Sequence, residues 1–274
     1  MLLGATGPIW FPHTNSLNRL PPPNRTSSLM KRAFLIAAAF AACMVSAYAD
    51  DSKKPDDASP NFQPTEYKSS GSVTAGGSAI AYDAFTGTLV VHPKGWNDAA
   101  TAKDDDKNPS AEASMSYVAY FQHGADVSRR PITFLFNGGP GSATVWLHMG
   151  AFGPRRVLTN DDSHTPAAPY TVVNNDQSLL DVSDVVFIDM PGTGFGRIGG
   201  KDADKNFYGV DQDIHAFAAF IQQFLGKYNR WNSPKYIFGE SYGTMRAAGL
   251  SLALQNENID LNGVMLLSDV LNWD

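Results

Sequence analysis

Gly239-Glu240-Ser241-Tyr242-Gly243 follows directly on the apolar run Tyr236-Ile237-Phe238. A strand that ends in G-x-S-x-G and continues as a helix holds its central Ser in a tight turn, with the hydroxyl lifted clear of the sheet. That pattern predicts Ser241 as an acyl-transfer nucleophile. A second group with chemical potential is Asn137-Gly138-Gly139-Pro140-Gly141, after the apolar run Ile132 to Phe136. Glycines lack a Cβ and bring backbone amides within reach of a substrate oxygen, and Pro140 stiffens the turn. Such a loop can aim one donor at a developing oxyanion, the other coming from the residue after the nucleophile. The expected pair is therefore the amides of Gly139 and Tyr242. In this architecture the base follows the nucleophile and the acid in chain order. The last histidine, His215, precedes Ser241, and the chain runs only to Asp274. His148, soon after the glycine loop, and His215 are both read as structural, and Asp269 as acid is a minority reading.

These residues must be positioned by strands. Ile132 to Phe136, Val185 to Ile188, Tyr236 to Phe238 and Val264 to Leu267 are continuous apolar runs, as expected of strands buried on both faces. Val210, Ile214, Phe217, Ile221, Phe224 and Tyr228 recur at helical spacing, with Asp211 and Asp213 near the start to satisfy free backbone donors. Strand and helix alternating in this way predict an α/β fold, a mostly parallel sheet with helices on both faces. Upstream, Gly71-Ser72-Val73 and Ile80-Ala81-Tyr82 flank the turn Gly76-Gly77 and lead to Thr88 to Val91, which predicts antiparallel strands at a sheet edge. Met115, Tyr117, Ala119 and Phe121 mark one face of a further strand.

The three motifs Asn137 to Gly141, Asp189-Met190-Pro191-Gly192-Thr193-Gly194-Phe195 and Gly239 to Gly243 resemble, in order and approximate spacing, those of the serine carboxypeptidases, an α/β-hydrolase family that includes cathepsin A. The resemblance covers roughly residues 67 to 274 and is nearest to bacterial exported members. It implies acylation of Ser241, an oxyanion hole at Gly139 and Tyr242, and capture of a peptide's C-terminal carboxylate by Asn137 and Glu240. A carboxylate side chain that holds a carboxylate must share a proton with it, which favours acidic pH. Glu240 as an ordinary polar residue under the turn is the alternative. The resemblance also implies that 67–274 is an incomplete domain whose acid and base come later, so negligible turnover is expected of residues 1–274. Leu135, Ser142 and Ala151 depart from the eukaryotic pattern of Trp, Cys and a second Glu, and the last departure leaves broader acyl hydrolysis open. Thr244-Met245-Arg246 also departs, and Arg246 is expected on the helix surface. An esterase or acyltransferase of the same fold, and a non-catalytic binding module, are the alternatives.

Gly194-Phe195-Gly196-Arg197-Ile198-Gly199 spells a dinucleotide-binding pattern, which would need a helix to open at once. Lys201 to Asn206 reads instead as a charged loop before a helix near Val210, so a substrate-pocket turn is expected and no cofactor. Asp104-Asp105-Asp106 reads as a solvated run rather than a calcium site.

The chain has 274 residues, 43% of them hydrophobic, and a net charge of -6 with its charges interleaved, which argues against nucleic acid as a partner. Its one cysteine excludes an intrachain disulfide and a cysteine zinc cluster. Met30-Lys31-Arg32, the apolar run Ala33 to Val45 and Ala47-Tyr48-Ala49 have the form of a signal peptide, predicting export to the periplasm or exterior with cleavage after Ala49 and no membrane span thereafter. A lipoprotein signal ending at Cys43 is the alternative. Residues 1–29 are either an untranslated preface to a start at Met30 or a disordered extension. Residues 50–66 have a leader's composition. A peptide substrate is the expected partner.

Overall fold

The structure is a computed structural model that describes residues 61–100, 108–160, 162–165 and 167–270. The preface, the signal peptide, most of the leader and the Asp104 to Asp106 run lie outside the described residues.

One eight-stranded sheet carries the fold, its strands lying in the spatial order Thr65–Ala75, Ser78–Val91, Glu112–Gln122, Asp184–Ile188, Ile132–Phe136, Lys235–Glu240 and Gly263–Leu267, with Arg197–Gly199 paired to Glu112–Gln122. Strands β1 (Thr65–Ala75), β2 (Ser78–Val91) and β3 (Glu112–Gln122) form an antiparallel meander. Gly76 and Gly77, both at positive φ, make its first turn, where a side chain would be strained. Strand β1 opens at Thr65, so the last two residues of the stretch 50–66 read as a leader are already paired in the sheet. On the other side of β3, strands β7 (Asp184–Ile188), β4 (Ile132–Phe136), β9 (Lys235–Glu240) and β10 (Gly263–Leu267) run parallel. All four parallel strands fall on the continuous apolar runs. The sheet is thus a parallel half joined to an antiparallel edge, the α/β-hydrolase arrangement.

The two faces follow from the pleat, because alternate side chains point opposite ways. Phe134, Phe136, Val186, Ile188 and Ile237 join one core, under helices α3 (Val210–Lys227) and α4 (Tyr242–Asn256). Leu135, Val185 and Phe187 face the other side. There they meet α1 (Val145–Leu147), the π-helical turn His148–Phe152 and a 3-10 turn at Leu179–Asp181. A short helix, α2 (Ala203–Phe207), occupies part of the stretch read as a charged loop. Phe207 anchors it, being fully buried in the main core. Strands β5 (Arg155–Val157) and β6 (Val172–Asn174) form a separate hairpin too short to show a period in sequence. Strand β8 (Arg197–Gly199) is equally short.

At the N-terminal end of the parallel strands Asp184 accepts from Arg130 Nε at 2.8 Å and from Arg230 Nη1 at 2.5 Å. The opposite, C-terminal end is thereby left to the two glycine motifs. No helix among the described residues is long and apolar enough to cross a membrane.

Candidate active site

Strands β4 and β9 are neighbours, and their register pairs Phe136 with Gly239. The loops that follow them are therefore adjacent although the two stretches lie about a hundred residues apart in sequence. After β9 the chain turns at Ser241, with φ 56° and ψ −125°, and enters α4 at Tyr242. A non-glycine residue in that region is strained, and the strain is held by neighbours. Ser241 N donates to Leu267 O at the end of β10, at 2.9 Å, and Ser241 O accepts from Thr244 Oγ1 at 2.7 Å. This is the strand, strained turn and helix that a nucleophile elbow requires.

The glycines of the motif are explained by crowding. A Cβ on Gly239 would collide with the carbonyl of Gly243, and a Cβ on Gly243 would crowd the carbonyl of Phe136 at 3.0 Å. A Cβ on Gly138 would stand 2.5 Å from Tyr242 N and 2.8 Å from Gly243 N, which presses the Asn137 loop directly against the elbow. Gly139, at φ 110°, turns that loop back. Tyr242 is the first residue of α4, where backbone N–H groups lack intrahelical acceptors. An amide at a helix start, beside a glycine loop, is suited to an anionic oxygen.

Asn137 Nδ2 donates to Glu240 Oε2 at 2.9 Å, joining the two loops through side chains. Asn137 itself is buried and fixed from three directions. Its Oδ1 accepts from Leu147 N at 3.1 Å, its N–H donates to Thr144 Oγ1 at 3.3 Å, and its carbonyl accepts from Arg246 Nη1 at 2.8 Å. Thr144 is held in turn by Asp189, whose Oδ1 accepts from Thr144 N at 2.7 Å, and by Ile188 O. All five residues picked from the sequence, Asn137, Gly139, Glu240, Ser241 and Tyr242, thus lie on these two abutting loops.

A model of the serine carboxypeptidase family matches residues 106–272, more than half of the chain. The chain belongs to the serine carboxypeptidase family. Among serine carboxypeptidase relatives, "Serine carboxypeptidase S10 family member 1" of Dictyostelium discoideum is 27% identical over 161 residues, which cover 58% of this chain and 36% of the relative. The "Retinoid-inducible serine carboxypeptidase" of Rattus norvegicus is 30% identical over 164 residues, covering 53% of this chain and 32% of that one. The chain therefore spans about a third of the length of these two relatives. A solved structure, the prohormone-processing carboxypeptidase Kex1 of Saccharomyces cerevisiae, overlies 67% of this chain and 38% of its own, at 20% identity and a TM-score of 0.49.

Within this serine carboxypeptidase scaffold, Arg246 corrects the sequence reading. It is not on the helix surface but 1% exposed. Its Nε donates to Asp213 Oδ2 at 2.8 Å, and the guanidinium lies 4.4 Å from the centroid of Phe217. Asp213 is not a helix cap either, since no side chain caps the start of α3. Burial raises the pKa of the Asp213 carboxyl, and the opposing pull of Arg246 does not cancel it. Both residues could have been found from spacing. Asp213 is three residues after Val210 and four before Phe217, on the apolar stripe of its helix; Arg246 is four residues from both Tyr242 and Leu250.

The remaining candidates fall elsewhere. His148 Nε2 is hydrogen-bonded to the Tyr120 hydroxyl at 2.8 Å, and its ring stacks on Phe187 at 4.7 Å. Burial pushes its pKa down to about 4. His215 lines a small pocket on α3 with His92 and Trp96. Neither histidine is hydrogen-bonded to Ser241. Asp269 lies in exposed chain after β10. Gly194 to Gly199 leads into strand β8, where a dinucleotide loop would open a helix. The turn just before it, Met190 to Thr193, lines a pocket of about 490 Å³ together with Pro140, Gly141 and Tyr242.

Proposed function

We propose that this chain carries the nucleophile and substrate-carboxylate half of a serine-type carboxypeptidase. In that reaction Ser241 Oγ attacks the scissile carbonyl carbon and its proton passes to a base. The oxyanion collects hydrogen bonds from the amides of Gly139 and Tyr242. Collapse expels the C-terminal amino acid as its amine takes up the proton, and water then hydrolyses the acyl-enzyme. Asn137 and Glu240 hold the free carboxylate of the leaving residue, which makes the enzyme act at chain ends. The observation that carries this reading is the Asn137–Glu240 hydrogen bond, which sets an amide donor against the carboxyl that immediately precedes Ser241 in the chain.

The base and its aspartate are assigned to sequence outside the described residues, because no described histidine is hydrogen-bonded to Ser241. The signal-like segment before Asp50 supports action outside the cytoplasm, on peptides, after cleavage following Ala49. Oxyanion donors and binding alone leave some catalysis over water, so the chain should react slowly rather than not at all. A serine-directed phosphonate tests this by mass spectrometry. The expected adduct sits on Ser241, disappears in Ser241→Ala and forms orders of magnitude more slowly than on a complete relative. An adduct on another serine would overturn the nucleophile; an equal rate would overturn the missing base.

A further inference from the structure

The tip of the glycine loop is tethered to the rest of the chain by a sulfur atom. Gly139 and Gly141 stand at φ 110° and 99°, so Gly139-Pro140-Gly141 turns between two positions that carry no side chain to wedge them. Ser142 N donates to Gly138 O at 3.0 Å and closes the loop at its base. Beyond that closure, among the described residues, the tip makes one hydrogen bond: Gly141 N donates to Met190 Sδ at 3.0 Å. The direction of the nearby Gly139 amide therefore depends on where that sulfur sits.

Met190 is firmly held as an anchor. It lies two residues past the end of β7, is buried, and belongs to the main core. Its carbonyl accepts from Thr193 N at 3.1 Å and from Thr193 Oγ1 at 3.0 Å. Arg246 Nη2 approaches the same sulfur at 3.5 Å, while Arg246 Nη1 holds the carbonyl of Asn137 at the start of the loop. One thioether thus receives an amide from the loop and a guanidinium from α4. A thioether is a soft, weak acceptor with no proton of its own. Two donors can converge on it only while the sulfur carries no further substituent.

A thioether is also a group that peroxide oxidises. A sulfur lone pair forms the S–O bond as the O–O bond of hydrogen peroxide breaks; sulfur loses two electrons, and water leaves with both peroxide protons. The sulfoxide is polar and chiral, and its oxygen takes up space beside the sulfur. Gly141 and Arg246 then cannot both keep their places. Met190 lines the pocket of about 490 Å³ next to the loop, which gives a small oxidant an approach. We propose that Met190 is a positioning residue for the oxyanion loop and a peroxide-sensitive modification site, whose conversion to the sulfoxide turns the Gly139 amide out of line. As a control on reaction at Ser241 this rests on the acyl-transfer reading; as the anchor of Gly141 it does not.

Met190→Leu keeps an apolar side chain of similar size and removes the acceptor. Gly141 is exposed, so protection of its amide from hydrogen exchange reports the bond to sulfur; NMR should show that protection lost in Met190→Leu and in the wild-type chain after peroxide. The limiting rate of phosphonate addition at Ser241 should fall roughly ten- to a hundredfold in both, with the half-saturating phosphonate concentration unchanged. Peptide mass mapping should place one added oxygen on Met190, and the fall in rate should follow the fraction oxidised. Peroxide should cost Met190→Leu nothing more, although Met149 and Met265 are still present in that variant. Unchanged Gly141 exchange in Met190→Leu, a further loss when that variant meets peroxide, or a lost rate with Met190 unoxidised would each overturn the proposal. Absence of the Ser241 adduct from the untreated chain, with Gly141 exchange responding as expected, would count against the acyl-transfer reading alone. A normal adduct with Gly141 exchange unresponsive would count against the anchor alone.

Discussion

Arg246 Nη1 donates to the carbonyl of Asn137 at 2.8 Å, so a guanidinium rooted in the nucleophile helix fixes the first residue of the glycine loop. The same side chain reaches Asp213 on the preceding helix and lies over Phe217. Three elements that meet at the candidate site, β4, α3 and α4, are thus tied by one residue.

Removing that tie should cost more than an exposed charge would. Arg246→Met leaves the Asp213 carboxylate buried and unpaired, a change of about 3–5 kcal/mol. Asp213→Leu combined with Arg246→Met should recover much of the loss, since neither charge then remains buried. Urea denaturation of the two single variants and the double variant measures the coupling. Additive losses would show that the pair acts independently.

Gly138→Ala should damage the site with little effect on the rest of the fold. Its Cβ would stand 2.5 Å from Tyr242 N, so the loop or the helix start must shift. Displacing one oxyanion donor costs about a hundredfold or more in rate. The phosphonate reaction at Ser241 should slow by that order in Gly138→Ala, with the circular dichroism spectrum retained. An unchanged rate would place the oxyanion elsewhere.

How much of this was legible in the sequence differs by scale. The parallel strands were, because burial on both faces writes itself as continuous apolar runs such as Ile132 to Phe136. The two glycine motifs were as well, since their spacing obeys backbone crowding that no other residue tolerates. Arg246 was not read, because a lone arginine in a helix is ordinarily solvated and its partner Asp213 lies 33 residues away. Helix α2 and the β5–β6 hairpin were missed because elements of three to five residues are too short to show a period.

Glu240→Gln should remove a pH dependence of product binding. Two carboxylates in contact need one shared proton, so above the ordinary carboxylate range affinity for N-acetyl-phenylalanine should fall about tenfold per pH unit. Glutamine donates an N–H without taking up a proton, and the slope should vanish. Isothermal calorimetry between pH 5 and 7 measures both slopes. A flat profile in the wild type would count against Glu240 as the carboxylate holder.

His148 should make the fold sensitive to acid. Its pKa is pushed down by burial to about 4 from an unfolded value near 6.5. The unfolded chain therefore binds the extra proton first, and stability is full above about 6.5 and is lost progressively as pH falls towards 4. The loss attributable to this group is at most about 3 kcal/mol. His148→Gln, which keeps a partner for the Tyr120 hydroxyl, should flatten the pH dependence of the thermal midpoint across that window. Parallel profiles for the two proteins would assign the acid sensitivity to other groups.

Asn137 and Glu240 meet across 103 residues of chain. At about 5–20 residues per second, a ribosome needs on the order of 5–20 seconds to make the second after the first. Throughout that interval the glycine loop has no elbow to rest against, and β4 has no β9 beside it. The nascent protein thus passes through a period in which its most chemically specialised segment exists as a half without a counterpart. Whatever shields Phe136 and its neighbours during synthesis must act before the residue that gives the loop its purpose has been translated.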